Sequence, residues 1–163
     1  MPGRVGADAR TQPMRQLTTT DGRRPGPVAN EHGRTTMFDD ATAFSSFAVP
    51  DVEAARAFYG DTLGLDVRDS RERGLLEIHL GGPAPVLVYP KPDHAPANFT
   101  VLNFQVPDID AAVDGLIAAG IRMERYPDFE QNDKGIVRDP RGPAIAWFKD
   151  PAGNIVSVLQ DQA

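Results

Sequence analysis

The chain has 163 residues, 40% of them hydrophobic and 25% charged, with a net charge of −6 and no cysteine. That is room for one ordinary domain or two small fused modules. The missing cysteines exclude disulfides, zinc–thiolate sites and thiol catalysis, and the acidic balance argues against nucleic acid as a partner, because neutralising phosphates needs a basic surface.

No apolar run approaches a membrane span, and the start of the chain has no apolar signal-peptide core. The expectation is a cytoplasmic protein without a membrane partner. Residues 1–40 hold few large apolar side chains, while Pro, Gly, Arg and Thr recur without period. Such a segment buries too little surface to offset its ordering entropy, so it reads as a disordered tail. Arg4, Arg10 and Arg15 suggest a targeting segment, but no amphipathic helix accompanies them, and Met37 offers an alternative translation start.

Order is expected from residue 41. Ala43 to Val49 reads as a strand ended by Pro50. Asp51 is placed to cap a helix whose Val52, Ala55, Phe58, Tyr59 and Leu63 share a face, and Gly64 stands where the helix stops. Leu65–Asp69, Leu75–Leu80 and Val86–Tyr89 read as three strands separated by turn residues. Residues 91–98 form a stiff, proline-rich connector. The pattern then returns: a strand over Phe99–Val106, a helix capped by Asp108 and closed by Gly120, and a strand at Ile121–Arg125. A polar loop, a short extended piece at Gly135–Arg138, and a hairpin of Ala144–Lys149 and Asn154–Gln160 complete it.

The two halves carry matching stretches, Phe47-Ala-Val-Pro-Asp-Val-Glu-Ala-Ala55 and Phe104-Gln-Val-Pro-Asp-Ile-Asp-Ala-Ala112, identical at six of nine positions. The expected fold is therefore α+β: two tandem βαβββ modules, residues 41–90 and 99–160, forming a cupped mixed sheet with the helices on its convex face. Strand alternation puts Leu76, Ile78 and Leu80 on one face and Glu77 and His79 on the other. It likewise separates Leu102, Phe104 and Val106 from Val101, Asn103 and Gln105.

The run Val52-Glu-Ala-Ala-Arg-Ala-Phe-Tyr-Gly-Asp-Thr-Leu-Gly-Leu65 and the ending Trp147-Phe-Lys-Asp-Pro-Ala-Gly-Asn-Ile155 resemble the vicinal oxygen chelate superfamily. That superfamily includes glyoxalase I, extradiol dioxygenases, fosfomycin-resistance enzymes and bleomycin-resistance proteins. The resemblance spans residues 41–160. It implies, for the enzymes, a divalent metal held by His and Glu in the cup. It places those ligands at Phe44, Val101, Ser157 and within Val86–Tyr89, where this chain has no His, Asp or Glu. Phe and Val have no lone pair to give, and a serine hydroxyl is a poor ligand for such ions. The expected cofactor and metal set is therefore none. Glu77 and His79, with His94, are the remaining alternative for a displaced metal, against a plain hydrogen-bonded pair. No nucleophile elbow, phosphate loop or dinucleotide fingerprint is present.

The candidate ligand-binding residues on the concave face are Ser46, His79, Tyr89, Asn103, Trp147 and Ser157, with Phe44, Val101 and Ile145 as apolar walls. Lys91, His94 and Lys149 either meet an anionic ligand or form a solvated rim. The preferred reading is a metal-independent small-molecule-binding protein of the bleomycin-resistance kind, working as a homodimer. The alternative is a glyoxalase- or dioxygenase-like enzyme using a displaced metal or acid–base residues such as His79 and Tyr126. The third is a structural dimer without a ligand.

Overall fold

A computed structural model describes residues 41–161; the tail read as disordered and the alternative start at Met37 lie outside them. In chain order the elements are β1 (Ser46–Val49), α1 (Val52–Arg56) continued by a π-helical segment (Ala57–Thr62), β2 (Asp66–Asp69), β3 (Leu76–His79) and β4 (Val86–Pro90). They are followed by β5 (Thr100–Gln105), α2 (Ile109–Ala118), β6 (Ala144–Lys149) and β7 (Ile155–Gln160).

The Val-Pro-Asp repeat marks the same local event twice. Proline ends each strand's ladder, and the next carboxylate caps a helix: Asp51 accepts from the amides of Glu53 and Ala54, and Asp108 from that of Ala111. The first helix then widens, with the Leu63 amide bonding back to Phe58 O at 2.9 Å, and Gly64 (φ 69°) ends it.

Each module builds a mixed sheet, of four strands in the first and three in the second. The first has strand order β1-β4-β3-β2 and the second β5-β7-β6; β1 runs parallel to β4 and β5 parallel to β7, while the other pairs are antiparallel. The α+β class and the paired modules are as expected. The second module departs in one strand: Ile121–Arg125 is reduced to a single bridge between Met123 and Phe148, and Gly135–Arg138 to bridges through Val137. Side chains take the ladder's place there. Gln131 Nε2 donates to the carbonyls of Glu124 and Gly135, while its Oε1 accepts from the Tyr126 amide at 2.7 Å. Leu80, expected beside Leu76 and Ile78, lies past the end of β3 and is 40% exposed, because the last β2–β3 pair is Asp66 with His79.

One core joins both sheets. Phe47, Val49, Leu76, Ile78 and Val88 enter it from the first, and Leu102, Ala146, Phe148, Val156 and Val158 from the second. Ala55 and Tyr59 of the first helix and Ile109 and Val113 of α2 fill the space against them. Phe58 reaches across modules, its ring 6.4 Å from that of Phe148. Burying some seventeen apolar residues this way supplies the main drive for folding. A buried polar staple completes the joint: the Tyr59 hydroxyl donates to Asp150 Oδ2, and Asn154 donates from its amide to Asp150 Oδ1 and from Nδ2 to Ala48 O. Burial and the neighbouring carboxylate hold the Tyr59 phenol well above its ordinary range, so it stays a donor.

Candidate functional site

The residues that pack into the core leave the alternate positions of each strand on the opposite face. On the second sheet, register sets Asn103 beside Ser157 and Ser157 beside Trp147, so the three form one row across β5, β7 and β6. Ser157 is 0% exposed, and its hydroxyl donates to Asn103 Oδ1 at 2.6 Å. Three of the six expected ligand-binding residues are thus brought together.

Trp147 carries an aromatic cluster. The Tyr126 ring meets it edge-on, centroids 5.5 Å apart at 85°, and the Phe129 ring lies on it at 5.2 Å and 34°. Both rings come from the 126–131 loop, whose polar sequence signalled only a loop. The recoverable signal was the Tyr126-Pro-Asp-Phe129 spacing, which brings two rings to one side of a turn closed by the Phe129 amide on Tyr126 O. The Tyr126 hydroxyl is buried and has no hydrogen-bond partner among the described residues. Burial raises its pKa, the Glu124 carboxylate adds to this and Lys149 opposes it, so the group is a protonated donor at neutral pH. Lys149 itself is engaged, with Nζ 2.8 Å from Glu124 Oε2.

Ser46 and Tyr89 belong to a second place. They line an open groove of about 400 Å³ between β1 and β5, together with Lys91, His94, Phe99 and Val101. Val101 is the extra residue of a bulge: Thr100 pairs with Ile155 and Leu102 with Val156. The connector contributes Lys91, His94, Ala95 and Ala97 to its lining. The His94 Nε2–H donates to Ala152 O at 3.2 Å, since a carbonyl only accepts. Lys91 Nζ is bonded to Asp93 at 2.8 Å. A side chain at Gly153 would meet Pro96 Cγ at 3.0 Å, so the close approach of connector and turn needs glycine there.

His79 sits apart from both, on β3, with Nε2 3.2 Å from Glu77 Oε2. Phe44, read as a wall, is 61% exposed ahead of β1, and Ile145 follows the alternation that puts it on the Trp147 face of β6.

The metal implied by the resemblance does not fit the residues present. At the implied positions Phe44 and Val101 offer no donor, and the Ser157 hydroxyl is committed to Asn103. Glu77 and His79 are bonded to each other, and among the described residues no three His, Asp or Glu side chains converge as a metal site. No helix among them is long and apolar enough to cross a membrane.

A profile of the Glyoxalase/Bleomycin resistance protein/Dioxygenase superfamily matches residues 38–158. Similar solved structures include a glyoxalase family protein from Bacillus anthracis (22% identity, TM-score 0.60, covering 77% of this chain and 98% of that one). Another is TnmS3, an antibiotic binding protein from Streptomyces sp. CB03234 (22% identity, TM-score 0.56, 76% and 98% covered). A third is a bleomycin resistance determinant encoded on the transposon Tn5 (18% identity, TM-score 0.57, 75% and 98% covered). At these identities the likeness establishes the fold. No curated protein matches the chain.

Proposed function

The chain belongs to the Glyoxalase/Bleomycin resistance protein/Dioxygenase superfamily, and from that premise we propose that it binds a small molecule without the metal its enzymes use. The observation that carries the reading is the Asn103–Ser157–Trp147 row. It joins a polar pair to a large aromatic platform on the face the helices leave open. A mostly apolar surface with a few fixed polar groups is the usual composition of an organic-ligand site. Solved relatives in fold that are named for antibiotic binding and bleomycin resistance support the same direction. The acidic net charge is compatible with a cationic ligand.

The working unit in this reading is a homodimer. Phe44 and Phe99, 61% and 66% exposed, stand beside the unpaired edges of β1 and β5, where a second copy would cover them. Sedimentation velocity at micromolar concentration reads this directly, with a monomer as the contrary result.

The site itself is tested by metal analysis of protein purified without chelator, together with a thermal-shift screen of aromatic and cationic compounds. The reading expects no stoichiometric divalent metal and a shift with some of the compounds. A second reading, an enzyme on a small oxygenated metabolite, draws support from the Glu77–His79 pair, which can hold and pass a proton. Stoichiometric metal lost on His79→Ala would favour it.

A further inference from the structure

The second module fills its own platform. Phe129 is 49% exposed, yet its ring centroid lies 5.2 Å from that of Trp147, tilted by 34°, so it covers indole surface that a stacked aromatic ligand would use. Beside it, the Tyr126 ring meets the same indole, and its hydroxyl is buried without a partner among the described residues. Native proteins leave few such groups unpaired, because a buried donor without an acceptor forfeits its hydration.

The loop carrying both rings is held at its base and not at its tip. Gln131 ties the backbone of Tyr126, Glu124 and Gly135 together, and the Asn132 side chain accepts from the amides of Lys134 and Ile136. The Arg125 guanidinium donates to the carbonyls of Asn132 and Asp133. At the tip, Asp128, Phe129 and Glu130 are exposed, and the one backbone hydrogen bond is the turn from Phe129 N to Tyr126 O. A fixed base and a light tip allow Phe129 to leave Trp147 while Tyr126 stays.

We infer that Phe129 is a built-in occupant of the ligand platform, displaced when a planar aromatic molecule stacks on Trp147, and that Tyr126 Oη donates a hydrogen bond to an acceptor on that molecule's edge. This rests on the binding role proposed above and adds to it the class of ligand, the residue that competes with it and the residue that recognises it. No bond is made or broken.

Trp147 is the chain's single tryptophan, so its emission reports this site alone. The probe is coumarin, which is planar and neutral and has a carbonyl acceptor but no donor. It is titrated into wild type, Phe129→Ala, Tyr126→Phe and Asn103→Ala. Phe129→Ala is expected to bind coumarin roughly 2- to 12-fold more tightly than wild type, the range of one aromatic pair. Tyr126→Phe is expected to bind it roughly 2- to 12-fold more weakly, the range of one hydrogen bond. Without any ligand, Tyr126→Phe removes an unpaired buried hydroxyl, so Tm should rise by about 2–4 °C; a hydroxyl with a structural partner would give a fall, and a fall overturns the recognition role. If coumarin binds and Asn103→Ala weakens it while Phe129→Ala and Tyr126→Phe do not alter affinity, the site stands and this inference fails. No Trp147 response to millimolar coumarin in Phe129→Ala also overturns it, whatever other compounds the wild type binds in the thermal-shift screen.

Discussion

Tyr59 and Asp150 are 91 positions apart and share a buried hydrogen bond of 3.0 Å that fastens the first helix to the final hairpin turn. Asn154 completes the staple by bonding the same carboxylate and Ala48 O of β1. Removing the hydroxyl leaves Asp150 buried and short of a donor, so Tyr59→Phe should destabilise by about 1–3 kcal/mol in urea unfolding. The pH dependence has a definite sign. The folded chain keeps a proton that the unfolded chain releases near 10.0, so this contribution is full below that pH and falls as pH rises above it. Alkaline absorbance titration should show Tyr59 ionising only with unfolding; ionisation in the folded protein near pH 10 would contradict this.

Gly153 and Gly64 share a left-handed backbone but differ in surroundings. Gly64 has open space about it, whereas a side chain on Gly153 would press on Pro96. Gly64→Ala should cost about 1–2 kcal/mol from backbone conformation alone. Gly153→Ala should cost more and loosen the connector, which hydrogen exchange at the His94 amide would register. Equal costs would mean that Pro96 yields freely.

Gln131 holds three backbone groups at the base of the aromatic loop. Gln131→Ala frees all three, and a loss of about 1–3 kcal/mol is expected. Trp147 emission should shift to the red as its two covering rings loosen. Unchanged emission would show that the rings are held by other contacts.

Ser157→Ala removes the bond to Asn103 while leaving the exposed Asn103 free to meet water, so stability should fall by only about 0.5–1.5 kcal/mol. Ligand affinity should fall with it, as read by calorimetry with any compound found in the screen. Full affinity in this variant would remove the polar pair from the site.

Much of the fold was legible because it rests on local chemistry. Pro50 and Pro107 end strands, Asp51 and Asp108 cap helices, and both copies show it in the same words. Alternation in β5 put Asn103 on the face opposite Leu102 and Phe104, the resemblance pointed to Ser157, and register brings both beside Trp147. Other relationships depend on distant partners and left no periodic trace. The bulge at Val101 comes from the register of β5 on β7, and the partition of Ser46 and Tyr89 into a separate groove from residues of β1, β4 and β5 lining it together. The shortened strand at Met123 has the alternation of a real one; Gln131 takes the Glu124 carbonyl that a ladder would use. The Phe129–Trp147 contact was hidden because a polar loop tip gives no sign of which surface it lies on.

Metal-free binding of an organic molecule at the Trp147 platform is read by following Trp147 emission while the best compound of the screen is added, with and without excess EDTA. A metal-free site gives a saturable change in emission with the same dissociation constant in both. Binding that vanishes in EDTA and returns with a divalent ion would contradict it, as would an emission that no compound of the screen alters.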